Sequence, residues 1–223
     1  MSRRQRGSEE HARAGSRSVQ HRVVNSVFYV VPEGEGTEYD YFDWLDKDYG
    51  RRGDFRIRMP PARVRRNGLS PSRVVDHACH QAHEPDITQI WGLFDHDGRT
   101  EIDQICLRQK PDRVRVALSH PSFELWLLLH FQDFTPAAQH GKNELIIDKL
   151  RNAHQAFANY GRPNKRIDRP RFAALMEDGG IRNAVHRARR LSRHFTRETP
   201  SQRDPSTEVY LLIEALGVVA PPS

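Results

Sequence analysis

"FYVVPEGEGTEYDYF", residues 28–42, drives an apolar run directly into two acidic residues and two glycines. Beginning at Ser26, SVFYVV is continuous, β-branched and aromatic, and of strand length, which predicts a parallel strand buried on both faces. Gly34 and Gly36 mark the turn that follows. Thr37 is the expected helix N-cap, with Asp40 three residues on as its capping-box partner. Tyr41, Trp44 and Leu45 then supply the apolar stripe of a helix. A strand that ends in Glu33 and Glu35 carries its charge at its carboxyl end, where ligand sites gather in open α/β sheets.

The same alternation continues downstream. DFRIRMP reads as a strand with Phe55, Ile57 and Met59 on one face. SPSRVVDHACHQA opens a helix with Ser70 as cap and Pro71 at its first position. DITQIWGLF is a second buried strand and ends, like the first, in acids: Asp95-His96-Asp97-Gly98. A short helix around Thr100 to Gln109 leads to RVRVALS, a fourth strand. Strand and helix in strict alternation imply a parallel sheet with right-handed crossovers. HPSFELWLLLHF is apolar nearly all round and predicts a helix buried on every side. Beyond Asp133 the chain turns helical and polar. Ile181, Val185, Ala188, Leu191 and Phe195 form one stripe, with Arg182, Arg189, Arg190 and Arg193 away from it. DPSTEVYLLIEAL closes as a capped helix that packs Val209, Leu212 and Leu216.

These elements divide the 223 residues into three stretches. Residues 1–22 hold arginine, serine and histidine with almost no large apolar side chain, so a flexible basic arm is expected. Residues 23–132 form the α/β core, and 133–223 a helical extension packed on it. The hydrophobic fraction of 37% is enough to bury a core although 29% of residues are charged. Cys79 and Cys106 are too few for a disulfide scaffold or a four-thiolate zinc site and read as buried apolar fillers. No apolar run is long enough to cross a bilayer and no signal-peptide core follows Met1, which points to a cytoplasmic protein with no membrane partner. Lys+Arg outnumber Asp+Glu by 35 to 29, and few of those cations are lysines. A basic, arginine-rich chain with acidic clusters suggests a polyanion held near a metal, though it is equally the composition of a solvated basic surface.

If the first and third strands are neighbours, Glu33, Asp95 and Asp97 converge. Like charges that close repel, and a divalent cation relieves the repulsion. All-oxygen ligands suit Mg²⁺ or Mn²⁺ rather than zinc, and such an ion can activate water and stabilise phosphoryl charge. An acid at a strand end is also often only a loop residue, and Asp97 before Gly98 could serve a turn. Glu35 and Glu38 could face either the site or solvent.

PEGEGTEYDYF, GLFDHDG, LSHPSFELWLLLHF and DPSTEVYLLIEAL, in that order, resemble the RloB family of Toprim-related proteins from about Val24 to Gly217. The resemblance implies a Toprim-like α/β fold: a mostly parallel four-stranded sheet with flanking helices and a helical C-terminal extension. It matches Glu33 to the glutamate after the first Toprim strand, and Asp95 and Asp97 to the Asp-x-Asp after the third. It implies Mg²⁺ (or Mn²⁺) at these three residues, with Glu33 as general base or ligand. The expected activity is phosphodiester hydrolysis, with RNA such as tRNA favoured over DNA, in anti-phage defence, where some relatives work with an ABC-type ATPase. Strand passage is not expected, because the chain is too short for a separate tyrosine-nucleophile domain.

Other positions have two readings each. Glu124 opens the apolar helix and either joins the catalytic set with Glu33, Asp95 and Asp97 or merely favours the helix dipole. His120 either faces the same crevice or is an ordinary loop histidine. Arg51, Arg52, Arg56, Arg58, Arg63, Arg65 and Arg66 lie close together with one aspartate among them and are the expected phosphate-backbone contacts, sensitive to salt and blind to sequence. Lys165 and Arg166 join them or are only loop charges. Two rival functions remain. LFDHDGRT faintly resembles the first motif of haloacid-dehalogenase phosphatases, but Arg99 stands where that motif places threonine, and the motif ends the wrong strand. A non-catalytic nucleic-acid or nucleotide sensor that recruits an effector is the other, although unmetallated carboxylates would repel the phosphates it binds.

Overall fold

The computed structural model describes residues 26–66, 68–135 and 143–219; the expected basic arm, residues 1–22, lies outside them. In chain order, β1 (Ser26–Pro32) is followed by α1 (Thr37–Leu45), a π-helical turn (Asp46–Gly50) and one helical turn, α2 (Arg51–Gly53). Next come β2 (Phe55–Arg58), α3 (Ala62–Arg65), α4 (Pro71–Gln81), β3 (Gln89–Asp95) and α5 (Ile102–Leu107). β4 (Val114–His120) leads to α6 (Glu124–Phe131), α7 (Asn143–Ala153), α8 (Arg169–Met176), α9 (Gly180–Ser192), β5 (Ser206–Thr207) and α10 (Val209–Ala215).

The strands form one sheet in the order β2-β1-β3-β4-β5. β2, β1, β3 and β4 are parallel, as strand-helix alternation predicts. The sheet has five strands rather than four. β5 pairs antiparallel with the end of β4 through Ser119↔Thr207 and His120↔Ser206. Two residues are too few to leave a period-2 pattern, and the sequence alone shows only the helix that follows them.

Pleating sends alternate side chains to opposite faces. Phe28, Val30, Phe55, Ile57, Trp91 and Leu93 face one layer, which α1, α6 and the later helices cover. Tyr29, Val31, Ile90, Phe94, Val114 and Leu118 face the other, against Val74, Val75 and Ala78 of α4 and Ile102 of α5. α4 is capped as its sequence predicts, Ser70 Oγ accepting from Arg73 N–H. It packs close to β3 at Gly92, where a Cβ would stand 2.9 Å from Val74 Cγ1.

α6 explains its own composition. Leu125, Trp126, Leu127, Leu128 and Leu129 are all fully buried, because the helix lies between the sheet and α7, α8 and α9. A single apolar cluster therefore joins Phe28 and Trp91 to Leu150, Phe172 and Val209 from beyond residue 132. His130 is buried there too: Nδ1–H donates to the Leu175 carbonyl (2.8 Å), so Nε2 accepts from the Tyr41 hydroxyl (3.2 Å). Burial lowers its pKa to about 3.

Candidate active site

The site begins where β1 and β3 run out side by side. Their register pairs Pro32 with Leu93, and Glu33 N–H donates to Leu93 O (2.9 Å), so the ladder extends one residue past β1. Glu33 and Asp95 are thereby brought together, and Asp95 N–H donates to Glu33 Oε2 (3.0 Å). The other Glu33 oxygen accepts from Arg99 Nη1 (2.6 Å). The tight turn that carries Arg99 back is built from Asp97 and Gly98, with φ of 45° and 70°; aspartate and glycine are residues that tolerate this left-handed region. Asp97 is half exposed, with Oδ2 3.9 Å from Arg99 Nη2.

Asp95 looks into a pocket of about 390 Å³ whose walls include Glu38, Glu124, Lys165 and Arg166. Glu38 comes from the first turn of α1, and its carboxylate rests against Gly34, where a Cβ would lie 2.5 Å from Glu38 Oε2. The glycine after Glu33 thus makes room for a second acid. Glu124, the first residue of α6, is 4% exposed. Lys165 Nζ sits 2.7 Å from its Oε1, and the Tyr160 hydroxyl lies between Glu124 Oε1 (3.2 Å) and Thr37 Oγ1 (3.0 Å). Thr37 does not cap α1. Its hydroxyl donates instead to Lys165 O (2.6 Å), and Gly36 takes the N-cap position. Asp40 likewise is no capping partner: Arg166 grips it with Nε (2.6 Å) and Nη2 (2.7 Å), and Ile167 N–H adds a third bond. These contacts fix the 160–167 segment of the extension against α1.

Five carboxylates share this corner and only part of their charge is answered. Burial, then Glu38, Glu124, Asp97 and Glu33, push the Asp95 carboxyl well above its ordinary value. Burial and its neighbours Glu124 and Glu33 push Glu38 up to about 7. Burial also raises Glu33, against the bonds from Asp95 N–H and Arg99. Glu124 goes the other way: burial alone would raise it, but Lys165 holds it below the usual carboxylate range. Among the described residues no three His, Cys, Asp or Glu side chains are drawn close enough to chelate an ion as they stand. In donor chemistry the set nonetheless fits a hard divalent cation, being all oxygen with mutually repelling acids around Asp95.

The structure separates the expected phosphate contacts. Lys165 and Arg166 line the carboxylate pocket. Gly68 N–H donates to Glu35 Oε1 (3.1 Å) and Leu69 N–H to Glu33 O (2.9 Å), which brings the chain after exposed Arg63 and Arg66 to the rim. The Arg65 side chain lies outside the described part. Arg56 pairs with Asp46 (3.1 Å) and Arg58 with Asp86, on edge strand β2. Arg51 and Arg52 line a different cavity. His120 stacks on His96, centroids 3.8 Å apart, rather than lining the pocket. Sequence reasoning left Glu38 open, gave Thr37 only as a helix cap, and did not single out Tyr160 or, as a partner of Glu33, Arg99. Glu38 had a signal, the glycine at 34 that clears its path; Tyr160 had none.

An α/β protein with parallel strands and carboxylates gathered at two adjacent strand ends is the class these observations define. The chain belongs to the RloB-like protein family, whose model matches residues 28–216. No curated protein and no solved structure matches it.

Proposed function

We propose that this chain is a Toprim-like, metal-dependent nuclease that hydrolyses phosphodiester bonds, with RNA favoured over DNA, in anti-phage defence. The carrying observation is the crowding of carboxylates around Asp95, which pushes its carboxyl well above its ordinary value, beside the cations Lys165 and Arg166. The parallel order β2-β1-β3-β4, with acids after β1 and β3, supports the Toprim-like reading. The defence role and any ABC-type ATPase partner rest on the family resemblance alone.

Glu33, Asp95 and Asp97, joined by Glu38 and Glu124, would hold Mg²⁺ or Mn²⁺, which when bound supplies charge stabilisation and an acidified water. The chain's own groups do the rest. Lys165 and Arg166 bind a phosphate at the pocket mouth and set the scissile bond against the acids. Arg99 orients Glu33 so that one oxygen stays directed by the Asp95 N–H. Tyr160 and Thr37 hold Glu124 and the Lys165 backbone in place.

Cleavage of end-labelled tRNA, single-stranded RNA and duplex DNA, with Mg²⁺, Mn²⁺ or chelator, tests this reading. Wild type should cut only with metal, and Glu33→Gln and Asp95→Asn should not cut. Cutting that survives both substitutions would place the chemistry elsewhere.

A further inference from the structure

A second cavity, about 560 Å³, opens at the far end of α1. Its walls come from the π-helical turn, α2 and α8, and its cations are Lys47, Arg51, Arg52 and Arg169, against the acids Asp48 and Glu177. Tyr49 is the aromatic in its wall. Lys47 lies over one side of the Trp44 ring at 4.6 Å, and Arg169 stands 5.2 Å from the same ring. Arg169 also bonds Asp48 (2.6 Å) and Lys47 bonds Asp43 (2.6 Å), so each side chain is held in place rather than loose. π-helical turns are rare and concentrate at functional sites.

α1 and the π-helical turn run between the two cavities, and Arg166, Lys47 and Arg169 are paired with their acids Asp40, Asp43 and Asp48. Lys165 and Arg166 stand at the carboxylate pocket, Arg169 opens α8 beside Trp44, and Arg51 and Arg52 line the second cavity. From Glu38 to Asp48 the helix rises about 15 Å at 1.5 Å per residue, the span of about four to five stacked nucleotides at 3.4 Å each. Walls of arginine with an interposed tyrosine combine phosphate contact with a stacking surface, the recognition chemistry of single strands.

We infer that the π-turn cavity is an exosite for single-stranded nucleic acid, which a strand leaving the carboxylate pocket reaches alongside α1. It rests on the nuclease reading for the direction of the strand, from scissile bond to exosite. It implies a minimum substrate length: strands shorter than the span occupy one cavity only.

The test is binding of fluorescein-labelled oligouridylates of about 3 and about 12 nucleotides, and of a duplex, to the full chain in chelator over a salt series. The longer single strand should bind at least about tenfold more tightly than the short one and than the duplex. Arg52→Ala/Arg169→Ala should reduce that advantage about tenfold and flatten the salt slope by about 1.4, at about 0.7 per lost contact. Arg52→Ala alone, at an exposed residue of a three-residue helix, should give half the slope change with an unaltered melting temperature, which guards against misfolding of the double variant. Asp95→Asn should keep the length dependence. Length-independent binding, or a wild-type slope in both arginine variants, would overturn the exosite. If no metal-dependent cutting occurs yet the length and salt effects hold, the nuclease reading fails and the exosite stands.

Discussion

Gly34→Ala separates folding from site geometry. The added Cβ would stand 2.5 Å from Glu38 Oε2 and 3.1 Å from its carboxyl carbon, about 1 Å inside ordinary contact. The obstructed atom is the end of a flexible side chain, so the glutamate swings away and the backbone does not move. Gly34 is not among the positive-φ glycines, so alanine meets no backbone strain. It lowers the entropy of the unfolded chain, worth roughly 0.4–1 kcal/mol in favour of folding. Stability should therefore stay within about 1 kcal/mol of wild type. Displacing Glu38 from Asp95 should weaken Mn²⁺ binding about 10- to 100-fold, as disturbance of a site's supporting groups does. The assay is titration calorimetry with Mn²⁺ beside chemical denaturation, in wild type, Gly34→Ala, Glu38→Gln and the double variant. If glycine acts through Glu38, the two losses do not add. Additive losses, or wild-type Mn²⁺ affinity in Gly34→Ala, would refute this role for the glycine.

Three further outcomes follow from the same geometry. His130 has a folded pKa of about 3 against an ordinary 6.5, so the unfolded chain takes up its proton first as pH falls. Its contribution is complete above about pH 6.5 and shrinks towards pH 3. Urea denaturation should show a loss of roughly 2–3 kcal/mol at about pH 4.5, and His130→Gln should remove that slope. Lys165→Met leaves buried Glu124 without its cation and should cost on the order of 3 kcal/mol at neutral pH, with Lys165→Met/Glu124→Gln recovering most of it in the same melt. Gly92→Ala drives a Cβ to 2.9 Å from Val74 Cγ1 and should destabilise by about 1–3 kcal/mol. Adding Val74→Ala should relieve part of that; an unrelieved loss would mean that α4 does not abut β3 at this point.

The parallel sheet was legible because each buried strand is an unbroken apolar run and each crossover helix carries its own punctuation, such as Ser70-Pro71 before α4. β5 was not, because two residues have no period and their pairing depends on a chain reversal more than 80 residues from β4. Glu33 and Asp95 could be placed together only on the condition that the first and third strands are neighbours, which the sheet order satisfies, since the ends of neighbouring parallel strands coincide. The Lys165–Glu124 pair could be suspected only residue by residue, since the contact spans 41 positions and arises when the extension folds back over α1. The Thr37 cap failed for a related reason: a hydroxyl that local pattern assigns to its own helix is turned instead to the Lys165 carbonyl and the Tyr160 hydroxyl, more than 120 residues away. The arginine run shows another effect of the fold. Close in sequence, its members are distributed over the helical turn α2, the edge strand β2 and the short helix α3 with the residue after it, so a single charge cluster becomes several surfaces.

The most direct measurement of the central claim is anomalous diffraction at the manganese edge from crystals of the full chain grown with Mn²⁺. The account predicts a manganese peak at the ends of β1 and β3, bound by an Asp95 oxygen at about 2.0–2.2 Å, with at least one more oxygen from Glu33, Glu38, Asp97 or Glu124, and no peak in Asp95→Asn. Manganese bound elsewhere, or a carboxylate pocket that stays empty at saturating Mn²⁺, would contradict it.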